Sequence, residues 1–432
     1  MPRLLLAILI AAALPLRAER IHVVVAVGLP EVSVRSVLPG SGVAVESLRA
    51  AVMESLPVDA AVTPWGRGSV FAADLERSEL DQLRRDPRVR AVTIDNGGEG
   101  ALLESVPLIG ADVAHAQGVD GSGITVAVLD TGIDGGNPDF AGRLVAEQCF
   151  CDNMDGTGCC PNGEVSQSGP GSARDDNGHG THVSGILAGG GASAPAGIAP
   201  RAQIVAVKVM NSENMFKSFT QIYHGLQWIL QNRRDVRVIN MSLGSFTLFS
   251  STDCRSLALH EGMQQVIGAL RTRGVLITAS AGNQSSVSGT TLPACMADVL
   301  GVGATYDAAG TQTAFCTVQG AHVDEVACFS NSSDSIDLLA PGAMITASKR
   351  GGGSVAYAGT SMAAPHVAGA IALMLQASGS TLMPDQTEQI LKVTGKPVVD
   401  PRNDLEFPRI NVAAAIAATP RPPLPKRRAA KH

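Results

Sequence analysis

Between residues 124 and 393, short apolar runs alternate with longer stretches of helical period, and no other property of the chain restricts its fold as much. The runs at 124–129, 204–209, 236–241, 275–279 and 299–302 are built mostly from Val, Ile, Leu and Ala, so each reads as a strand buried on both faces. Helical patterns at 181–187, 219–231, 257–272 and 361–376 alternate with these runs or follow them, and another occupies 385–393. That order predicts an α/β class, a parallel sheet covered by helices on both faces. Sites in such sheets gather at the carboxyl ends of strands. Asp130 and Asn283 fall at two such ends.

Four segments follow from the 432-residue length and its composition. Residues 1–18 join Met1-Pro2-Arg3 to an apolar stretch and end in Leu16-Arg17-Ala18, the pattern of an export signal cleaved after Ala18. The stretch is too short to span a bilayer, so no stable membrane anchor is expected. Residues 19–99 read as strand 21–27, helix 46–56, strands 61–63 and 69–72, helix 78–85 and strand 89–95, a small α+β unit of ferredoxin-like order. The α/β domain then occupies 100–418. Residues 419–432 are Pro-rich and basic and read as a disordered tail. A formal charge of −6 gives no footprint for nucleic acid, which leaves polypeptides as the expected partners and a monomer as the expected state.

Three segments offer an acid, a base and a nucleophile in chain order. Val126-Ala-Val-Leu-Asp130-Thr-Gly places a carboxylate at the tip of a buried strand, where it can fix the tautomer of a histidine. His179-Gly-Thr-His182-Val-Ser-Gly185 supplies the imidazole at a helix start. Gly359-Thr-Ser361-Met-Ala-Ala-Pro365-His366 presents a serine on a small-residue turn entering a helix, with Pro365 expected in its first turn. His179 and His182 could instead ligate a metal, but the H-E-x-x-H spacing is absent and no third ligand is indicated. His182 and His366 are read as structural. A fourth run, 274–283, ends in Ala281-Gly282-Asn283 and exposes an amide at a turn.

The four segments resemble the active-site motifs of the subtilisin-like serine proteases, the subtilases, in the order Asp, His, Ser. The resemblance implies that Asp130 orients His179, that His179 is the general base for Ser361, and that Asn283 and the Ser361 N–H hold the oxyanion. It also implies that Ser242, Leu243 and Gly244 line the pocket for the substrate residue before the scissile bond and pair with substrate as an added strand. The 19–99 unit then corresponds to a propeptide, a folding assistant and intramolecular inhibitor, and the protein is a self-processing zymogen secreted from the cell. The acid-active sedolisins carry Glu and Asp where this chain has His179 and Asn283, which points to neutral or alkaline pH. No cofactor is implied for the chemistry. Asn137-Pro-Asp139 matches a segment whose Asp helps bind a structural calcium ion, yet residues 189–200, where further ligands belong, contain no Asp or Asn. Asp152, Asn153 and Asp155 are an alternative calcium set.

Eight cysteines in an exported chain point to disulfides. Proximity suggests Cys316 with Cys328 and Cys254 with Cys295, leaving Cys149, Cys151, Cys159 and Cys160 to pair among themselves at the rim of the cleft. Free thiols or a zinc knot remain open at this point. Two function classes also remain, a secreted endopeptidase and a non-catalytic binding protein on a protease fold.

Overall fold

Alternate residues along the central strands face opposite ways, and each face buries its own helices. Val126 and Val128 point into a core with the Thr360–Ala377 and His179–Ala188 helices. Ala127 and Leu129 point into a second core with the Phe219–Asn232 and Ala258–Thr272 helices. Burial on both sides is why these strands read as unbroken apolar runs. The structure is a computed structural model that describes residues 20–27, 41–64, 70–94, 102–256, 258–313, 315–316 and 321–421. The signal-like segment 1–18, the junction at 99–100 and residues 422–432 of the tail lie outside them.

The chain divides into two units, Met1–Gly98 and Glu99–His432. In the first, the described elements run β-α-β-β-α-β, and the antiparallel sheet has the order Thr63–Pro64, Val70–Leu75, Ile21–Val27, Val89–Ile94. Its core is Val23, Val25, Phe71, Leu75, Leu80 and neighbours. The first helix, Ser41–Met53, starts five residues before the expected 46.

In the second unit, ten strands form one sheet, in which Thr125–Asp130 lies between Gln203–Lys208 and Val236–Met241 and Leu276–Ser280 comes next. The pairings from Leu144–Phe150 across to Leu405–Arg409 are parallel, and each edge ends in one antiparallel pair. The predicted α/β sheet covered on both faces is therefore the observed one. Among the described residues no helix is long and apolar enough to cross a membrane.

All eight cysteines are paired: Cys254–Cys295 and Cys316–Cys328 as expected, and Cys149–Cys160 with Cys151–Cys159 as two rungs of one loop. That loop meets the segment after the Gln203–Lys208 strand, where Asn211 Nδ2 donates to Asn153 Oδ1 at 3.4 Å and Gln221 Nε2 to the Asp152 carbonyl at 3.3 Å.

The calcium expected at Asn137 and Asp139 does not fit the residues present. Asp139 is buried, and its carboxylate accepts from the Ala192 and Ser193 N–H groups and from the Ser193 and Ser348 hydroxyls, at 2.7–2.9 Å. A cation needs lone pairs facing it, whereas here donors surround the carboxylate. Asn137 Oδ1 is likewise taken, by the Asp139 N–H and the Ser193 hydroxyl. In the Cys-rich loop, Asp155 Oδ1 accepts from the Thr157 N–H and hydroxyl. No group of three or more His, Cys, Asp or Glu among the described residues is placed to hold a metal ion.

Candidate active site

The Thr125–Asp130 strand ends at Asp130, which is fully buried. Its Oδ1 accepts from the Thr131 N–H and from His179 Nδ1–H, both at 2.7 Å. With the proton on Nδ1 engaged, the His179 Nε2 lone pair is the one available to a hydroxyl. His179 opens the His179–Ala188 helix, and the helix lies tight against the Asp130 turn because Gly180 has no side chain. A Cβ there would sit 2.1 Å from the Gly132 carbonyl oxygen.

The first N–H groups of a helix have no intrahelical partner. Here side chains outside the helix take them: Asn177 Oδ1 accepts from His179, Thr131 Oγ1 from Gly180 and Asp175 Oδ2 from Thr181. Burial lowers the His179 pKa, but the charge and hydrogen bond of Asp130 and the charge of Asp175 outweigh it, so the imidazole sits above its ordinary value. Lys208, fully buried and paired with Asp130 in strand register, donates to the carbonyls of Thr131 and Met210 and to Asp176 Oδ1.

Ser361 is the second residue of the Thr360–Ala377 helix. Its hydroxyl donates to the Ser242 carbonyl at 3.4 Å rather than to His179. Catalytic hydrogen bonds are often long before substrate arrives. Asn283 lies beside this helix start, its Oδ1 accepting from the Thr360 N–H at 2.9 Å and from the Thr360 hydroxyl at 3.0 Å. Its Nδ2 lies 3.2 Å from where a Cβ on Gly359 would stand, and Gly359 has φ +151°, so glycine keeps that approach open.

Ser242, Leu243, Gly244, Asn283 and Ser361 all line one cavity of about 260 Å³, whose far wall carries Met215 and Phe216. The Ser242 hydroxyl donates to the Ser361 carbonyl at 2.7 Å and accepts from Asn240 Nδ2 at 2.9 Å. A second cavity, of about 230 Å³, is lined by Arg271, Asp298, Asp337 and Glu388. Arg271 is paired there with Asp298 and Glu388, and Asp337 with Lys392.

His182 and His366 take no part in this cluster. His182 Nε2 donates to the Ile345 and Val355 carbonyls, and His366 Nδ1 donates to the Met362 carbonyl while Nε2 accepts from the Ser105 hydroxyl. Sequence reasoning missed Thr131, Asp175, Lys208 and Asn240. Asp175 and Lys208 stand next to motif residues, but an Asp in a polar loop and a Lys in a strand carry no signal of burial. Thr131 adjoins Asp130 in its segment and Asn240 lies inside the 236–241 run, and only the packing shows what their side chains bond.

An acid-oriented imidazole, together with a helix-start serine that lines one cavity with an amide side chain, suits acyl transfer. The model of the subtilase family matches residues 121–409. The chain is 33% identical to subtilisin E of Bacillus subtilis (strain 168) over 70% of each chain, and 30% identical to alkaline serine exoprotease A of Vibrio alginolyticus over 78% of this chain and 57% of that one. It is similar to the crystal structure of a cold-adapted subtilisin-like serine proteinase, with a TM-score of 0.51 and 30% identity over 67% of this chain and 89% of that one. Against a protease of Pseudoalteromonas arctica the TM-score is 0.55 at 26% identity, over 71% of this chain and 93% of the other. With that breadth of match around such a cleft, the chain belongs to the subtilase family and is a serine-type endopeptidase.

Proposed function

We propose that Asp130, His179 and Ser361 form the catalytic triad of a secreted endopeptidase made as a self-processing zymogen. The observation that carries this reading is the 2.7 Å hydrogen bond from His179 Nδ1 to the buried Asp130 carboxylate. His179 Nε2 takes the Ser361 proton as Oγ bonds to the peptide carbonyl carbon. The oxyanion that forms accepts from Asn283 Nδ2 and the Ser361 N–H. The C–N bond then breaks as His179 returns the proton to the leaving amine, and water repeats the cycle to free the acyl-enzyme. Ser242, Leu243 and Gly244 bind the substrate residue before the scissile bond. No cofactor takes part.

In this reading residues 1–18 are the export signal, 19–99 the inhibitory propeptide, 100–418 the mature enzyme and 419–432 an appended tail. The protein acts as a monomer, has no membrane anchor, and works at neutral to alkaline pH. The division into two units near Gly98 supports the propeptide boundary.

The test is labelling with a serine-directed sulfonyl fluoride together with cleavage of casein. Both should be lost in Ser361→Ala, which should also accumulate unprocessed precursor. Casein cleavage that persists in the purified variant would remove the triad assignment. Processing of that variant to normal size would remove self-cleavage.

A further inference from the structure

We propose that Asp175 is a positioning residue for catalysis: its buried carboxylate locks the turn carrying Asp130 to the helix carrying His179, and its charge supports the imidazolium formed when His179 takes the Ser361 proton. The proposal rests on the triad reading above and assigns a role to a residue outside the triad.

Asp175 is 3% exposed, and its two oxygens accept five hydrogen bonds. Oδ1 takes the Thr131 hydroxyl at 2.9 Å and the N–H groups of Asn177 and Gly178 at 3.0 and 2.9 Å. Oδ2 takes the N–H and the hydroxyl of Thr181. Thr131 adjoins Asp130, and its hydroxyl oxygen also accepts from the Gly180 N–H at 2.9 Å. Thr181 lies two residues past His179, and its hydroxyl oxygen accepts from the Asp134 N–H at 3.0 Å.

One carboxylate thus bonds both sides of the gap that the Asp130–His179 hydrogen bond must span. No nearer covalent path joins the two, since 49 residues separate them. Five donors also keep Asp175 ionised, because each of them favours the anion. Burial opposes ionisation, but the donors outweigh it and hold the Asp175 pKa below the usual carboxylate range. The charged groups around His179 are then Asp130 and Asp175, with the neutral His182 one helical turn on. Lys208 lies beyond Thr131 and is compensated by Asp176, and Arg350 lies next to Gly178. Two buried carboxylates facing one imidazole favour its protonated form.

Two variants separate the lock from the charge, with rates normalised to active enzyme by titration of Ser361. Asp175→Asn places an N–H₂ group where the site supplies donors and removes the charge. Its kcat should fall roughly tenfold, with KM within about twofold, and the acidic limb of kcat/KM should move to lower pH by about half a unit. Thr131→Val keeps the charge and breaks the bridge, so kcat should fall and the acidic limb should stay.

An Asp175→Asn enzyme with wild-type kcat and an unmoved acidic limb would overturn the proposal. So would Thr131→Val at wild-type kcat, which decides the lock even if Asp175→Asn fails to fold. A moved limb without loss of kcat, or loss without movement, removes the lock or the charge respectively. Asp130→Ala distinguishes this inference from the reading beneath it: full turnover there would remove the triad itself, whereas silence confined to the Asp175 and Thr131 variants removes only the positioning role.

Discussion

Pro365 stands four residues after Ser361 in the same helix, so the Ser361 carbonyl has no amide N–H to receive and accepts the Ser242 hydroxyl at 2.7 Å instead. The proline is the sixth residue of the Thr360–Ala377 helix, so at 3.6 residues per turn it lies in the second turn and not in the first. The Ser242 hydroxyl thereby ties the helix of Ser361 to the segment that follows the Val236–Met241 strand.

Ser242→Ala should leave this carbonyl without its donor and destabilise the fold by about 1–3 kcal/mol. Pro365→Ala restores an amide to the same carbonyl. In the Ser242→Ala background it should recover part of the loss, a favourable coupling measurable by denaturant unfolding of the sulfonylated enzyme. Additive effects of the two substitutions would show that the carbonyl is not the link.

Asn283 is oriented by Thr360, which occupies its Oδ1 with two hydrogen bonds and leaves Nδ2 as the donor toward the cleft. Asn283→Ala should lower kcat by about 10²–10³ with little change in KM, a magnitude known from the corresponding loss in subtilisin itself. Thr360→Val removes one of the two orienting bonds and should produce a smaller fall in kcat. Steady-state kinetics on a peptide substrate read both, and an unchanged kcat in Asn283→Ala would place the oxyanion elsewhere.

The central strands were legible because both their faces are buried, so apolar residues continue without interruption up to Asp130 and to the turn at Asn283. Leu144–Phe150 was not, because only Gln148 and Cys149 of its seven residues are buried beside the antiparallel edge and Glu147 and Gln148 interrupt the apolar pattern. Leu338–Pro341 was too short to stand out. At the site, motif spacing singles out Asp130, His179, Ser361 and Asn283. It could not carry Asp175, whose role depends on the Thr131 hydroxyl, 44 positions away in the chain, as well as on the donors at 177–181. The rims of the cleft were legible only in part: the Cys-rich loop was placed near it, but its bonds to Asn211 and Gln221 come from packing.

The donors around Asp139 predict that chelation does not act through this carboxylate. Thermal unfolding of Ser361→Ala, which avoids self-digestion, should give the same Tm with and without EDTA. Ser348→Ala should lower stability by about 1–3 kcal/mol, because it strips one charge-assisted hydrogen bond from a buried anion. A fall in Tm with EDTA that calcium reverses and that disappears in Asp139→Asn would contradict the fit of donors at Asp139.

The raised pKa of His179 sets the sign of the activity profile. Only the neutral imidazole can accept the Ser361 proton, so kcat/KM should climb with pH through a midpoint above the ordinary value of about 6.5 and then level off. Stability runs the other way for this group. A histidine whose folded pKa is raised contributes fully below its unfolded value, and that contribution disappears as pH rises through the folded one. A midpoint below 6.5 would mean that desolvation, not Asp130 and Asp175, dominates.

His182 and His366 behave oppositely, because burial among carbonyls and apolar side chains drives them down to about 3 and about 4. Both remain neutral in the folded protein while the unfolded chain protonates them below about pH 6.5, so the unfolded state binds more protons across that window. Stability therefore rises with pH there, and is lost as pH falls from 6.5 toward 4. At about 1.4 kcal/mol per pH unit for each proton, the two together cost several kcal/mol by pH 4, roughly 3 kcal/mol apiece. Denaturant unfolding of Ser361→Ala between pH 7 and 4 should show this slope, and His366→Asn should reduce it by close to one proton. An identical slope in that variant would mean that His366 is already charged in the fold, against the acceptor role of Nε2 toward the Ser105 hydroxyl. The same variant should then show whether the helix of Ser361 depends on that neutral tautomer, since Met362, the partner of Nδ1, directly follows the serine.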